Sequence, residues 1–79
     1  GIKKMKIKEA LDDLIILDNK VGIRILPKEQ PKYMTGYEMY MSSMDYKGCE
    51  ITKAYAKNNA IVFVVSHAEA VKHGLVKED

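Results

Sequence analysis

Residues Ala60 to Val65 read AIVFVV, and no apolar run in the chain is longer. Six apolar residues in a row, four of them β-branched, make a strand buried on both faces. Such a strand needs paired neighbours and a covering layer. Asn58-Asn59, just before it, tolerate the positive φ of a tight turn. The pattern therefore predicts a β-hairpin joining residues 49–57 to the AIVFVV strand. A helix over 49–57 is the alternative, because Ile51, Ala54 and Tyr55 also share a helical face. At 79 residues the chain is one domain, and roughly 60–65% of its unfolded surface is buried on folding. That leaves room for one modest core.

Toward the N-terminus, Ile7, Ala10, Leu11, Leu14 and Ile15 recur at helical spacing, with Lys8, Glu9, Asp12 and Asp13 opposite. Lys8 and Asp12 stand at i, i+4 and can pair. Ile16 and Leu17 either continue this helix or open a strand. Val21, Ile23 and Ile25 then alternate with Gly22 and Arg24, which predicts a strand over 21–26, stopped by Pro27. Residues 27–32, PKEQPK, contain both prolines of the chain and read as a loop.

The segment from Pro31 to Gly48 holds four of the five tyrosines and four of the five methionines. Thr35 and Glu38 form a capping box, so a helix is expected over 35–45. Tyr37, Tyr40, Met41 and Met44 then fall on one face and read as core, with Met39 on the outer flank. Gly48 reads as the left-handed residue that closes this helix. The segment carries more large side chains than one stripe can bury. The surplus, assigned to Tyr33, Met39 and Tyr46, is expected to contact a partner, since Met and Tyr suit interfaces. Ser66 and Glu69 form a second capping box, opening a short helix that Gly74 ends. The stretch IVFVVSHAEAVKHGL has a strand–Ser-x-x-Glu–helix cadence similar to that of kink-turn RNA-binding ribosomal proteins, over about fifteen residues. The cadence is capping chemistry, and it carries over no RNA-contacting residue.

The expected fold is α+β: a small single domain over residues 1–79, ordered helix, strand, helix, β-hairpin and short helix, with one small sheet. No catalytic constellation assembles from the sequence. Cys49 has no local nucleophile signature, cannot form an intrachain disulfide, and reads as a small buried apolar residue. Glu69 and His73 at i, i+4 are too few donors for a structural metal site and read as solvated, with His73 favoured near a helix C-terminus. The glycines are isolated, so no phosphate loop is present. No cofactor and no metal are therefore expected. No apolar run approaches the ~18 residues of a membrane span, and LIIL is too short for a signal peptide. A cytoplasmic location is expected.

Thirteen basic residues against eleven acidic give a formal charge of +2, and Arg24 is the one arginine. That balance argues against a dedicated reader of duplex DNA. The expected role is a non-enzymatic accessory or regulatory protein acting by protein–protein interaction, including as a homodimer. The alternative is a small nucleic-acid-binding module using Lys3, Lys4, Lys6 and Lys8 with Arg24 and exposed tyrosines.

Overall fold

A computed structural model describes residues 4–14 and 17–78. The elements are α1 (Ile7–Leu14), β1 (Lys20–Ile25), β2 (Lys32–Thr35), α2 (Gly36–Met41), β3 (Lys53–Lys57), β4 (Ala60–Val65) and α3 (His67–Lys72). The four strands form one sheet in the order β2-β1-β4-β3. The β1 and β4 strands run parallel in the middle, and the two outer pairs are antiparallel. Three helices with a four-stranded mixed sheet make a small α+β domain, as the sequence led us to expect.

The AIVFVV strand is β4, and five of its six residues are buried. Asn58 and Asn59 take φ values of 53° and 60°, so the turn before it is the tight hairpin turn that two asparagines permit. Alternation divides the central strands between two faces. Val21 and Ile23 of β1 join Phe63 and Val65 of β4 in the core, where they meet Ile7, Ala10 and Leu11 of α1, Met39 of α2 and Ala70 of α3. All three helices therefore cover the same face. Residues 5–7 run beside 49–51, with Ile7 N–H donating to Cys49 O at 3.0 Å and Ile51 N–H to Met5 O at 2.8 Å. These bonds fasten the start of α1 to the loop ahead of β3.

Three expectations need correction. Residues 32–35, read as loop and helix lead-in, form β2, paired with β1 from Lys20↔Thr35 to Ile23↔Lys32. The helix expected over 35–45 covers only Gly36–Met41. Its Thr35–Glu38 capping box is present, with Glu38 N–H donating to Thr35 Oγ1 at 3.0 Å and Thr35 N–H to Glu38 Oε1 at 2.8 Å. At its other end Ser42 turns extended, and its hydroxyl accepts from Met44 N–H at 3.0 Å. A serine bonded to a nearby amide offers the backbone an alternative to continuing the helix. The phase of α2 is set at its start, where Gly36 N–H donates to Asn19 O and Tyr37 N–H to Leu17 O. So anchored, the helix turns Met39 inward, fully buried, while Met41 is 77% and Tyr37 51% exposed. Met44 lies beyond the helix and is also exposed. The inside and outside are thus the reverse of the expectation at Met39, Tyr37, Met41 and Met44, whereas Tyr40 is partly buried against the core as expected.

The third correction concerns caps. Gly48 does not end a helix, and Gly74, with φ +73°, is the glycine with positive φ among the described residues. At Ser66 only half of the expected box forms. Its hydroxyl accepts from Glu69 N–H at 3.1 Å, but the Glu69 carboxylate is bonded to Glu50 N–H and His73 instead.

Candidate functional site

The sheet face away from the helices carries the most ordered arrangement of functional side chains. Strand register sets it out as rows running across the strands. Thr35, Lys20, Ala60 and Lys57 lie in one row, and Tyr33, Gly22, Val62 and Tyr55 in the next. In the third, Arg24, Val64 and Lys53 are aligned. An aromatic row thus lies between two rows that each hold a pair of cations. Successive rows are two residues apart along the strands, about 7 Å. No residue of the four strands is Asp or Glu, although the chain has eleven acidic residues. At the Thr35 end of the first row, the Glu38 carboxylate is occupied by the Thr35 amide.

Gly22 positions the aromatic row. A Cβ built there would meet Tyr33 Cδ1 and Cε1 at 3.2 Å and Val62 Cγ2 at 3.1 Å. Lacking that carbon, Gly22 lets the Tyr33 ring lie over β1. The ring is fixed at its tip, where Asn58 Nδ2 donates to the Tyr33 hydroxyl at 3.3 Å. The Lys20 ammonium stands 5.1 Å from the ring centroid, a cation–π distance. Val62 and Val64 are fully buried, although the three helices pack on the opposite face. Both tyrosines of the row are half-buried.

A second cluster ties α3 to the loop after α2. His73 Nδ1 lies 2.6 Å from Asp45 Oδ2, and His73 Nε2 lies 2.9 Å from Glu69 Oε1. The His73 side chain is only 17% exposed, so the solvated histidine read from the sequence is instead a clamped one. Gly48 leaves room for this pair, because a Cβ there would approach Asp45 Oδ2 to 2.7 Å and His73 Cε1 to 2.9 Å. The bond to His73 holds the Asp45 carboxyl below its usual range, against a smaller effect of burial. Burial pushes the Glu69 carboxyl up, but the Glu50 amide and His73 outweigh it and leave it lowered. Cys49 sits beside this cluster, fully buried, with Sγ donating to Asp45 O at 3.5 Å. Burial, then the nearby Glu69 and Asp45 charges, push its thiol up to about 12. That is the opposite of the shift a nucleophilic cysteine needs. Among the described residues, no group of three or more His, Cys, Asp or Glu is placed to hold a metal ion.

The three residues assigned to a partner surface separate. Met39 is fully buried and Tyr46 is 6% exposed, so the exposure expected of the surplus is absent at both. Tyr33 remains half-buried at the β2 edge. The exposed large hydrophobic side chains among the described residues are Met5, Tyr37, Met41 and Met44, of which Met41 and Met44 lie beside a trough that Tyr33, Met34 and Tyr46 also line. Lys4 and Lys8 do not join the sheet face. Lys4 pairs with Glu50 at 3.7 Å and Lys8 with Asp12 at 2.7 Å, beside a helix on the opposite side; Lys3 lies outside the described residues. Lys20, Lys53, Tyr55 and Lys57 were missed as a group. Their signal was in the sequence as KVGIR and KAYAK, where cations and tyrosine recur at period two.

No helix among the described residues is long and apolar enough to cross a membrane. In comparisons with known proteins, no family model, curated protein or solved structure matches the chain.

Proposed function

We propose that this protein is a non-enzymatic binding module whose cationic sheet face, away from the helices, takes nucleic acid. The observation that carries this reading is the segregation of charge. Lys20, Arg24, Lys53 and Lys57 share one face of a sheet whose strands contain no carboxylate, while the net charge of the whole chain is only +2. Such a face attracts a polyanion that the chain as a whole would bind weakly. Four cations limit the strength. For a single-stranded ligand, neutralising up to four phosphates gives a log–log salt slope of at most about −3. Tight duplex binding at physiological salt is not expected. The test is a fluorescence-anisotropy titration with a labelled oligonucleotide between about 50 and 200 mM salt. The reading requires binding at the low end and a slope that becomes shallower by about 1.4 when Lys57→Glu and Lys20→Glu are combined. Binding with no salt dependence, or unchanged by these substitutions, would refute it.

A second reading keeps the protein partner expected of the Tyr/Met segment, in the form of a second copy of this chain. It is favoured by Met41 and Met44, exposed beside the trough along β2 and α2. A second, adjoining trough of about 290 Å³, with Met44, Tyr46, Leu75 and Val76 in its walls, continues this apolar surface. Its test is light scattering across a concentration series. Mass rising with concentration in the wild type, and not in Met41→Ser, supports it; a constant monomer mass removes it.

A further inference from the structure

The outer edge of β3 presents backbone and charge together. β3 is the last strand of the sheet, and among the described residues nothing pairs with its outer side. The strand reads KAYAK, and every residue except Tyr55 is exposed. The Asn58-Asn59 turn decides which backbone groups face outward. A two-residue turn with positive φ at both positions closes with Ala60 N–H donating to Lys57 C=O, which points Lys57 at β4. Alternation along the ladder points Tyr55 and Lys53 the same way and leaves the N–H and C=O of Ala54 and Ala56 facing out. These two alanines lie on the helix side of the sheet, paired with Phe63 and Ile61, and yet are exposed. The helix layer therefore ends before it reaches β3, and a shallow apolar ledge remains there. On the other side of the same strand stand Lys53 and Lys57, neither with an ion-pair partner among the described residues.

We infer that this edge takes an extended acidic peptide of another protein as a fifth strand, antiparallel to β3. Such a strand bonds to the backbone of Ala54 and Ala56, which a nucleic acid on the sheet face does not use, although both ligands meet Lys53 and Lys57. Centred on Tyr55, the strand sets its first, third and fifth residues against Lys57, Tyr55 and Lys53. These are the non-hydrogen-bonded pairs, with Cα atoms only about 4.5 Å apart, where opposite charges attract and like charges repel most directly. Acidic residues are therefore favoured at the first and fifth positions. The second and fourth residues make the backbone bonds and project over the alanine ledge, which suits β-branched apolar side chains. The same lysines turn away a second copy of this chain: β3 paired with itself in full register sets Lys53 against Lys57 twice. Lysine on an edge strand guards against self-pairing, and here it also supplies the attraction for a partner of opposite charge.

The experiment titrates the intact, isotope-labelled chain at low salt with an end-blocked peptide, Ser-Glu-Val-Thr-Val-Glu-Ser, followed by amide chemical shifts and hydrogen exchange. The largest shifts are expected along Lys53 to Lys57, and the Ala54 and Ala56 amides should gain protection from exchange. Two further peptides separate the contributions. One carries N-methyl groups on both valines, which keeps the charges and removes the strand's hydrogen bonds; it should bind at least about tenfold more weakly. The other has lysine in place of both glutamates; it should not bind the wild type but should bind the double variant Lys53→Glu, Lys57→Glu, which in turn loses the acidic peptide. Both substitutions are at exposed positions, and circular dichroism checks that the variant is folded; the two peptide controls on the wild type decide the matter if it is not. Equal binding of the acidic and N-methylated peptides would show charge attraction without strand pairing and refute the inference. So would an acidic peptide that leaves the Ala54 and Ala56 amides unprotected, or one that binds the double variant as tightly as the wild type.

Discussion

Met39 and Met41 are two residues apart on a six-residue helix, and their substitution by alanine should separate the observed packing from the pattern read in the sequence. Met39 is fully buried in the cluster formed by α1, β1 and β4, whereas Met41 is 77% exposed. Removing a fully buried methionine side chain costs about 2–5 kcal/mol, the larger values where the site cannot collapse. Met39 is held by elements on several sides, so about 3 kcal/mol is a fair centre. For a domain of this length each kcal/mol moves Tm by roughly 4–8 °C. Met39→Ala should therefore lower Tm by about 12–24 °C, a large part of the stability a small domain possesses. Met41→Ala loses almost no buried area, and alanine is the better helix former, so its effect should stay within about 0.5 kcal/mol. Thermal unfolding followed by circular dichroism measures both, with urea midpoints at constant slope as a check. The helical stripe of Tyr37, Tyr40, Met41 and Met44 requires the opposite order. Equal losses, or a greater loss at Met41, would refute the packing described for α2.

The His73 clamp should make stability depend on acid. Asp45 and Glu69 are lowered in the folded state from 3.8 and 4.5, so their contribution is present above those values and is lost as pH falls through the lower folded ones. The urea midpoint should fall more steeply below about pH 4 in the wild type than in His73→Ala; parallel profiles would contradict the clamp. Cys49, with its thiol pushed up to about 12, should react with a disulfide reagent far more slowly in the native than in the urea-unfolded protein, and equal rates at neutral pH would show it to be accessible. Asn59, at φ 60°, should tolerate glycine, while Asn59→Ala should destabilise by about 1–2 kcal/mol through left-handed strain; chemical denaturation of the pair checks this.

Where local chemistry decides the structure, the sequence was readable. AIVFVV, the Asn58-Asn59 turn, the Ile7, Ala10 and Leu11 part of the α1 stripe and the Thr35 capping box each involve neighbours within a few residues, and each appears in the fold, while Ile15 and Ile16 lie outside the described residues. The errors arise where a distant segment decides. The three-turn helix expected over 35–45 needed Ser42 and Ser43 to stay helical, but Ser42 accepts from Met44 N–H and the chain turns to bury Tyr46 and Cys49. Short β2 has no strong periodicity of its own and exists because β1 offers an edge, with Gly22 making room for Tyr33. His73 looked solvated because Asp45, its partner, is 28 positions away. The candidate face was half visible. KVGIR and KAYAK show their alternation, but only the order β2-β1-β4-β3 brings Tyr33 into line with Tyr55.

Amide chemical-shift mapping with a short oligothymidylate at low salt tests the central claim most directly. The account requires the largest perturbations along Lys20 to Arg24, at Tyr33 and along Lys53 to Lys57, with α1 and the Asp45–His73–Glu69 cluster left nearly unchanged. Perturbations centred on Met41 and Met44, or on the lysines ahead of α1, would contradict it, as would a spectrum that the oligonucleotide does not move.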